Sequence, residues 1–299
     1  MTEHYKIINL RFDSPEVIEQ LGSKPKFWFR TSDDEQPWLF KYTRENTGED
    51  WSEKIASELA HLLEIPAAQV ELAMFMGKRG SASRSFVFTT KGFGLIHGSE
   101  VLSGRVLNYE KSKQWHQSQH CIKNIITAVE LTFTPRQRIQ QLRTLAGFII
   151  LDAIICNTDR HHDNWGLLRG PFGRGRARHQ VAPSFDHASS LGRELGDERR
   201  KVAILDPKGI ERYVMKGRGG IFWEESDEKG ENPLVLAIKA AKAYPMYFSL
   251  WLQRLRKLNP EDMAGIVERV PVIYMSKEAR EFSIRLMTHT VEKLKEATL

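Results

Sequence analysis

The sequence predicts an α+β protein of two lobes, a small β-rich one over residues 1–100 and a larger α-helical one over residues 101–299. Three observations lead there. Short aromatic and β-branched runs bounded by turn residues crowd the first hundred positions. Apolar residues at helical spacing take over from about residue 104. A chain of 299 residues also exceeds the usual size of one compact unit.

The elements follow in order. Residues 5–12 alternate enough for a short strand. Residues 26–30 (K-F-W-F-R) and 38–42 (W-L-F-K-Y) flank the polar run S-D-D-E-Q-P, a hairpin signal. The loop before them, L-G-S-K-P-K, is small, polar and basic. A helix opens at Glu53, sets Ile55, Ala56, Leu59, Ala60, Leu62 and Leu63 on an apolar face, and stops before Pro66. Residues 70–76 and 85–88 read as strands around a Gly/Ser/Arg turn at 77–84. Thr134 and Pro135 start a long helix, a hydroxyl N-cap followed by a proline whose φ suits the first turn. Its buried face is Ile139, Leu142, Leu145, Ala146, Ile149 and Ala153. Residues 234–256 and 278–297 add two or more helices, and the turn-rich run at 170–178 (G-P-F-G-R-G-R-A-R) reads as a hairpin loop.

Composition bounds the class. The hydrophobic fraction of 41% and charged fraction of 27% are ordinary for a soluble globular protein. A net charge of +6, spread along the chain, suits an anionic ligand such as a nucleotide and argues little for nucleic acid. The two cysteines, Cys121 and Cys156, lack paired ligand spacing, which excludes a zinc ribbon or a disulfide framework and fits a reducing cytoplasm. The N-terminus lacks the apolar stretch of a secretory signal, although secretion as an effector stays open. The near-apolar run at 145–156 is too short to span a bilayer and is interrupted by Asp152, which is read as a buried carboxylate bracing the loop after it.

Two polar strings at the edges of apolar segments carry the chemistry: N-T-D-R-H-H-D-N-W-G-L-L at 157–168 and A-P-S-F-D-H at 182–187. An Asp (Asp159), an Asn five positions on (Asn164) and a second Asp 22 positions beyond it (Asp186) are the minimal set for moving a phosphoryl group from Mg-ATP. Asp159 can orient and deprotonate a hydroxyl, while Asn164 and Asp186 are hard oxygen ligands that suit Mg²⁺. Lys41, on an aromatic strand, can meet nucleotide phosphates, with Glu53 to hold it. Glu58 competes for that place but adjoins the buried face and reads as a surface residue. The loop at 22–26, with Ser23, Lys24 and Lys26, can cover the phosphates. His161 is expected to face inward and its neighbour His162 outward, with Asp163 solvated. Arg169, Arg174, Arg176 and Arg178 read as a solvated basic face or a docking surface for an acidic substrate or RNA. The basic Gly-rich run at 216–220 lacks the strand–helix setting of a P-loop; substrate-side contact is its better functional reading.

These strings resemble the HipA-like Ser/Thr kinase family, and most of all its compact CtkA-like branch. The pattern N-x-D-x-H-x-x-N is matched by Asn157, Asp159, His161 and Asn164, and A-P-x-x-D by Ala182, Pro183 and Asp186. The family's helix pattern is matched by Glu53, Leu59, Ala60, Ile65 and Pro66, and its small-residue loop by Ser23 to Lys26. The resemblance implies a bilobal, protein-kinase-like fold with ATP in the cleft. Asp159 would be the catalytic base, His161 and Asn157 its loop braces, Asn164 and Asp186 the Mg²⁺ ligands, and Lys41 the phosphate contact paired with Glu53. It implies transfer to a Ser or Thr of a protein substrate and autophosphorylation at Ser23, or at Ser189 or Ser190 after the metal Asp. An antitoxin protein is the implied partner of such a toxin. Full-length HipA proteins carry a further N-terminal subdomain of roughly a hundred residues that 299 positions do not accommodate. His187 and Ala188 also replace the Phe and Gly that follow the metal Asp in eukaryotic kinases. Two rivals stand beside this reading: a phosphoinositide-type lipid kinase, which the D-R-H-x-x-N string also resembles, and a nucleotide-binding regulatory module without catalysis. No membrane span and no helix-turn-helix pattern is present, so direct nucleic-acid binding is not expected.

Overall fold

The computed structural model describes residues 3–12, 14–19, 25–32, 34–171 and 178–298. Its first sheet contains β1 (Ile7–Leu10), β2 (Val17–Glu19), β3 (Lys26–Thr31), β4 (Asp34–Tyr42), β5 (Val70–Phe75) and β6 (Lys78–Arg84). The strands lie in the order β1-β5-β6-β4-β3-β2, with only the β1–β5 pair parallel. Helix α1 (Glu49–Leu62) packs on β5 and β6.

Alternation divides the sheet into two functional faces. One carries Phe27, Phe29, Trp38, Phe40, Ala73, Phe75 and Ala82, a closed aromatic core in which Phe27 lies 5.0 Å from Phe40 and 4.9 Å from Phe75 between ring centroids. The other carries Lys26, Lys41 and Ser81, each opposite the next across the ladder, and faces α1. A one-residue slip would turn Lys41 into the aromatic core, so the burial of Phe40 fixes where Lys41 points.

Three sequence expectations are corrected here. The small residues at 78–84 are strand β6, not a turn; the chain reverses earlier, at Met76 and Gly77, with φ of 49° and 76°. Small side chains are needed because β6 lies between β5 and β4: a Cβ on Gly80 would sit 2.4 Å from the Lys41 carbonyl oxygen. Residues 85–88, expected as strand, continue without regular structure. Helix α1 begins at Glu49 rather than Glu53, with Glu49 and Asp50 in its first turn where carboxylates suit the helix dipole. Glu53 therefore sits one turn inside the helix.

The rest of the chain contains β7 (Gly94–His97), α2 (Gly98–Ser103), α3 (Ile122–Thr132), α4 (Pro135–Ile155), β8 (Gly166–Gly170) and β9 (Arg178–Val181). Strands β7, β8 and β9 form an antiparallel sheet in that order; residues 172–177 of the expected hairpin loop, Arg174 and Arg176 among them, lie outside the described residues. There follow α5 (Asp197–Leu205), α6 (Gly209–Lys216), α7 (Pro233–Ala243), α8 (Pro245–Lys257), α9 (Pro260–Glu268) and α10 (Lys277–Thr298). Pro245, as the first residue of α8, breaks the apolar run at 234–256 into two helices.

Helix α4 is the spine of the larger core, packed by α7, α8 and α10. From Leu145 to its end it is buried on every side, which is why no single face dominates its pattern. Ile139, expected on the buried face, is instead 37% exposed, in the first turns that project from the core. Each fully buried Leu or Ile of this helix contributes about 1.5–3 kcal/mol. Among the described residues no helix is long and apolar enough to cross a membrane.

Candidate active site

The end of α4 builds the first half of the site. Cys156 takes the left-handed conformation (φ 53°) and closes the helix, its N–H bonding to the Asp152 carbonyl. The Asn157 amide then folds back: Nδ2 donates to Asp152 Oδ1 at 2.8 Å, while Oδ1 accepts the Asp159 N–H at 3.0 Å. Asn164 Nδ2 donates to the Asp159 carbonyl oxygen at 2.7 Å, closing the loop from its far side. With its nitrogen so used, Asn164 has Oδ1 left as the atom that could hold a metal. His161 Nδ1 accepts the Asp163 N–H at 3.2 Å, and its Nε2 lies 3.0 Å from Gln114 Nε2 and 3.9 Å from Asp159 Oδ1. Burial keeps His161 below the usual imidazole range, against the raising effect of Asp163 and Asp186.

The second half is the segment after β9. Ser184 is bonded on both sides to the stretch that follows α1, its N–H to the Pro66 carbonyl and its own carbonyl to the Ala68 N–H, each at 2.8 Å. Asp186 is left-handed at φ 59°, a conformation that costs a non-glycine residue free energy and clusters at functional sites. Beyond it the chain runs beside the end of α4 and the first polar string: Thr158 N–H donates to the Ser189 carbonyl at 3.2 Å and Leu191 N–H to the Ile155 carbonyl at 2.9 Å.

The sheet supplies the amine. Lys41 Nζ donates to Glu53 Oε1 at 3.3 Å and to Asp186 Oδ1 at 3.1 Å. Ser81 Oγ holds the other Glu53 oxygen at 3.0 Å, so the buried carboxylate is fully engaged. Burial pulls the Lys41 pKa down, but the charges of Asp186 and Glu53 together outweigh it, and the amine is held protonated above its ordinary range. Glu58 pairs instead with Lys54, at 2.7 Å.

Residues 19–212 match the HipA-like C-terminal domain, a range that contains both polar strings, Lys41 and Glu53. The chain belongs to the HipA-like family. No curated protein matches the sequence. Among solved structures, this HipA-like chain is similar to the proinflammatory kinase CtkA of Helicobacter pylori, with a TM-score of 0.78 at 17% identity over 98% of this chain and 97% of that one. It is also similar to HipA of the Shewanella oneidensis MR-1 toxin–antitoxin system, with a TM-score of 0.55 at 12% identity over 95% of this chain and 66% of that one. The fold of the HipA-like chain is therefore the α+β, kinase-like one.

Sequence reasoning missed the residue that joins the two halves. Arg160 donates from Nε and Nη2 to the two Asp152 oxygens, both at 2.8 Å. Its Nη1 reaches the Asn164 carbonyl at 2.6 Å and the Phe185 carbonyl at 3.2 Å, and Nη2 reaches Ser184 Oγ at 2.9 Å. A carboxylate in an apolar helix calls for a cation within reach, and Arg160 is the first basic residue after Asp152. His162, expected outward, is buried: Tyr109 Oη lies 2.7 Å from its Nδ1, because residues 98–121 cover that side of the loop. Asp163 is half-covered as well, accepting from Ser99 Oγ at 2.5 Å.

The remaining candidates fall into place unevenly. Ser189 Oγ donates to Asp159 Oδ2 at 3.3 Å and accepts from Arg193 Nη2 at 3.1 Å. Arg193 is held in turn by the buried Glu49, at 2.5 Å. Ser190 is 2% exposed, its hydroxyl donating to the His187 carbonyl at 2.8 Å and lying 2.7 Å from Ser52 Oγ. Lys26 sits across the ladder from Lys41. Ser23 and Lys24 lie outside the described residues. Among the described residues no three His, Cys, Asp or Glu side chains cluster as a metal site, so an Asn-plus-Asp oxygen pair is the candidate to test.

Proposed function

We propose that this chain is an ATP- and Mg²⁺-dependent kinase that transfers the γ-phosphoryl group to Ser or Thr of a protein. The observation that carries the reading is the contact chain Glu53–Lys41–Asp186, 3.3 and 3.1 Å long, which joins the sheet to the segment that Arg160 ties to the Asp159 loop. Lys41, kept charged by its two carboxylates, neutralises nucleotide phosphates, and Glu53 limits its wandering. Asn164 Oδ1 and Asp186 fit Mg²⁺ because they offer oxygen alone; bound there, the ion would offset the charge of the phosphates. Asp159 aims the acceptor hydroxyl and accepts its proton, and Asn157, Arg160 and His161 hold it in position.

Autophosphorylation at Ser189 is supported by its hydroxyl donating to Asp159 Oδ2 at 3.3 Å, whereas Ser190 is sealed in the core. Ser23 stays the alternative that the family resemblance implies. An antitoxin partner and a cytoplasmic place belong to the same reading, through the family alone. Incubation with Mg-ATP followed by mass-spectrometric mapping tests it. Phosphate is expected on Ser189 or on an added protein acceptor, and is expected to vanish with EDTA. A folded protein that moves no phosphate to itself or to any Ser/Thr acceptor contradicts it.

A further inference from the structure

Two segments outside the two polar strings close around the loop at 158–161 and are tied to each other. Phe222 N–H donates to the His120 carbonyl at 3.0 Å, and Ile122 N–H to the Phe222 carbonyl at 3.1 Å. His120 Nε2 accepts from Trp165 Nε1 at 3.0 Å, so the proton of this buried ring is on Nδ1, which donates to the Gly220 carbonyl at 2.7 Å. The second segment presses on the catalytic loop: a Cβ on Gly220 would lie 2.8 Å from the Arg160 carbonyl oxygen and the His161 nitrogen, and one on Gly217 would lie 3.3 Å from Thr158 Cγ2.

Each segment leaves a tip in solvent beside that loop. On one side Trp115 is 56% exposed, set edge-on to the His161 ring at 5.6 Å. On the other, Lys216 and Arg218 are exposed and flank Gly217. The Arg218 Nη1 is anchored on the carbonyls of Met215 and Gly217, at 3.1 and 2.9 Å, and neither cation meets a carboxylate among the described residues. The indole is left largely in water, neither cation has a carboxylate partner among the described residues, and phosphate transfer as derived above uses none of the three.

We propose that these tips recognise the acceptor segment of the protein substrate: a Ser or Thr with a carboxylate on the Lys216/Arg218 side and an apolar residue on the Trp115 side. The inference rests on the kinase reading above and names its substrate class. Indole faces are prominent anchors in recognition, and opposite charge fixes orientation. A single exposed ring, rather than a row of rings along a basic groove, favours a peptide over single-stranded RNA.

The test uses matched Ser peptides that differ only in an acidic or basic flank, and in Leu or Gly on the opposite side. The full chain, a Lys216→Glu/Arg218→Glu protein and a Trp115→Ala protein are compared by kcat/KM. The wild type is expected to favour the acidic flank about tenfold at low salt, as two exposed ion pairs can supply, and less at high salt. The double charge reversal is expected to invert that ratio. Trp115→Ala is expected to raise KM for the Leu peptide to that of the Gly peptide, with kcat changed little. If the reversal does not fold, Lys216→Gln/Arg218→Gln is expected to bring the ratio to about one. Transfer by the wild type that ignores flanking charge overturns this inference alone, as does charge-blind transfer that single-stranded RNA inhibits. Absence of transfer to every acceptor overturns the kinase reading with it.

Discussion

Asp152 and Arg160, eight residues apart, form a buried two-armed ion pair with both contacts at 2.8 Å. The pair is more than a brace within one loop. Through the carbonyls of Asn164 and Phe185, the same guanidinium sets the distance between the two polar strings.

Removing the cation alone leaves a carboxylate in an apolar helix. Arg160→Met is expected to destabilise the fold by about 3–5 kcal/mol in urea unfolding and to abolish phosphate transfer. The double variant Asp152→Leu/Arg160→Met is expected to recover most of that stability, because no uncompensated charge remains, yet to stay inactive. Recovery of activity together with stability would mean that Arg160 has no positioning role.

Lys41→Met tests the contact chain. Loss of the amine is expected to lower single-turnover transfer by about 10²–10³-fold, the range for removing one preorganised charge contact. Glu53 would retain Ser81 as its bonded partner, and a cost of about 1–3 kcal/mol in unfolding free energy is expected. Wild-type transfer by Lys41→Met would place the phosphates elsewhere.

Two glycines make opposite predictions. Gly220→Ala must displace the backbone of Arg160 and His161, and is expected to cost about 1–3 kcal/mol and to lower kcat. Gly265, in the exposed part of α9, has nothing within 4 Å of a built Cβ, so Gly265→Ala is expected to stabilise by about 0.5–1 kcal/mol without kinetic effect. Thermal melts and kinetics on the pair separate a local clash from a general helix effect.

Acid should loosen the packing of His120 against Gly220 and Trp165. Burial is the main cause that depresses His120 to about 3; the Gly220 carbonyl raises it, while His162, His161 and Arg160 lower it further. Because the folded value lies below the unfolded value of about 6.5, the unfolded chain binds more protons between the two. Stability is therefore fully present above pH ~6.5 and is lost as pH falls toward 3, with a slope approaching about 1.4 kcal/mol per pH unit from this ring. Thermal scans from pH 7.5 to 4.5 check it; a flat melting temperature across that range contradicts it.

Much of this was legible in the order of residues because single positions decide it. Alternation around Phe40 shows which way Lys41 faces, and the Thr134–Pro135 pair marks the start of α4. What was not legible depended on distant neighbours. Strand β6 reads as a turn until β4 and α1 are seen to demand its small residues. His162 reads as exposed until Tyr109, 53 positions earlier, is seen to cover it. The partnership of Ser189 with Arg193 and Glu49 needs α1 to be packed against a segment 144 residues away, which no local spacing announces.

The most direct test is a crystal structure with Mg²⁺ and a non-hydrolysable ATP analogue. The terminal phosphates are expected on Lys41, metal density on Asn164 Oδ1 and Asp186, and the γ-phosphate within reach of Asp159. A γ-phosphate bound away from Lys41 and Asp186 would contradict the proposed site.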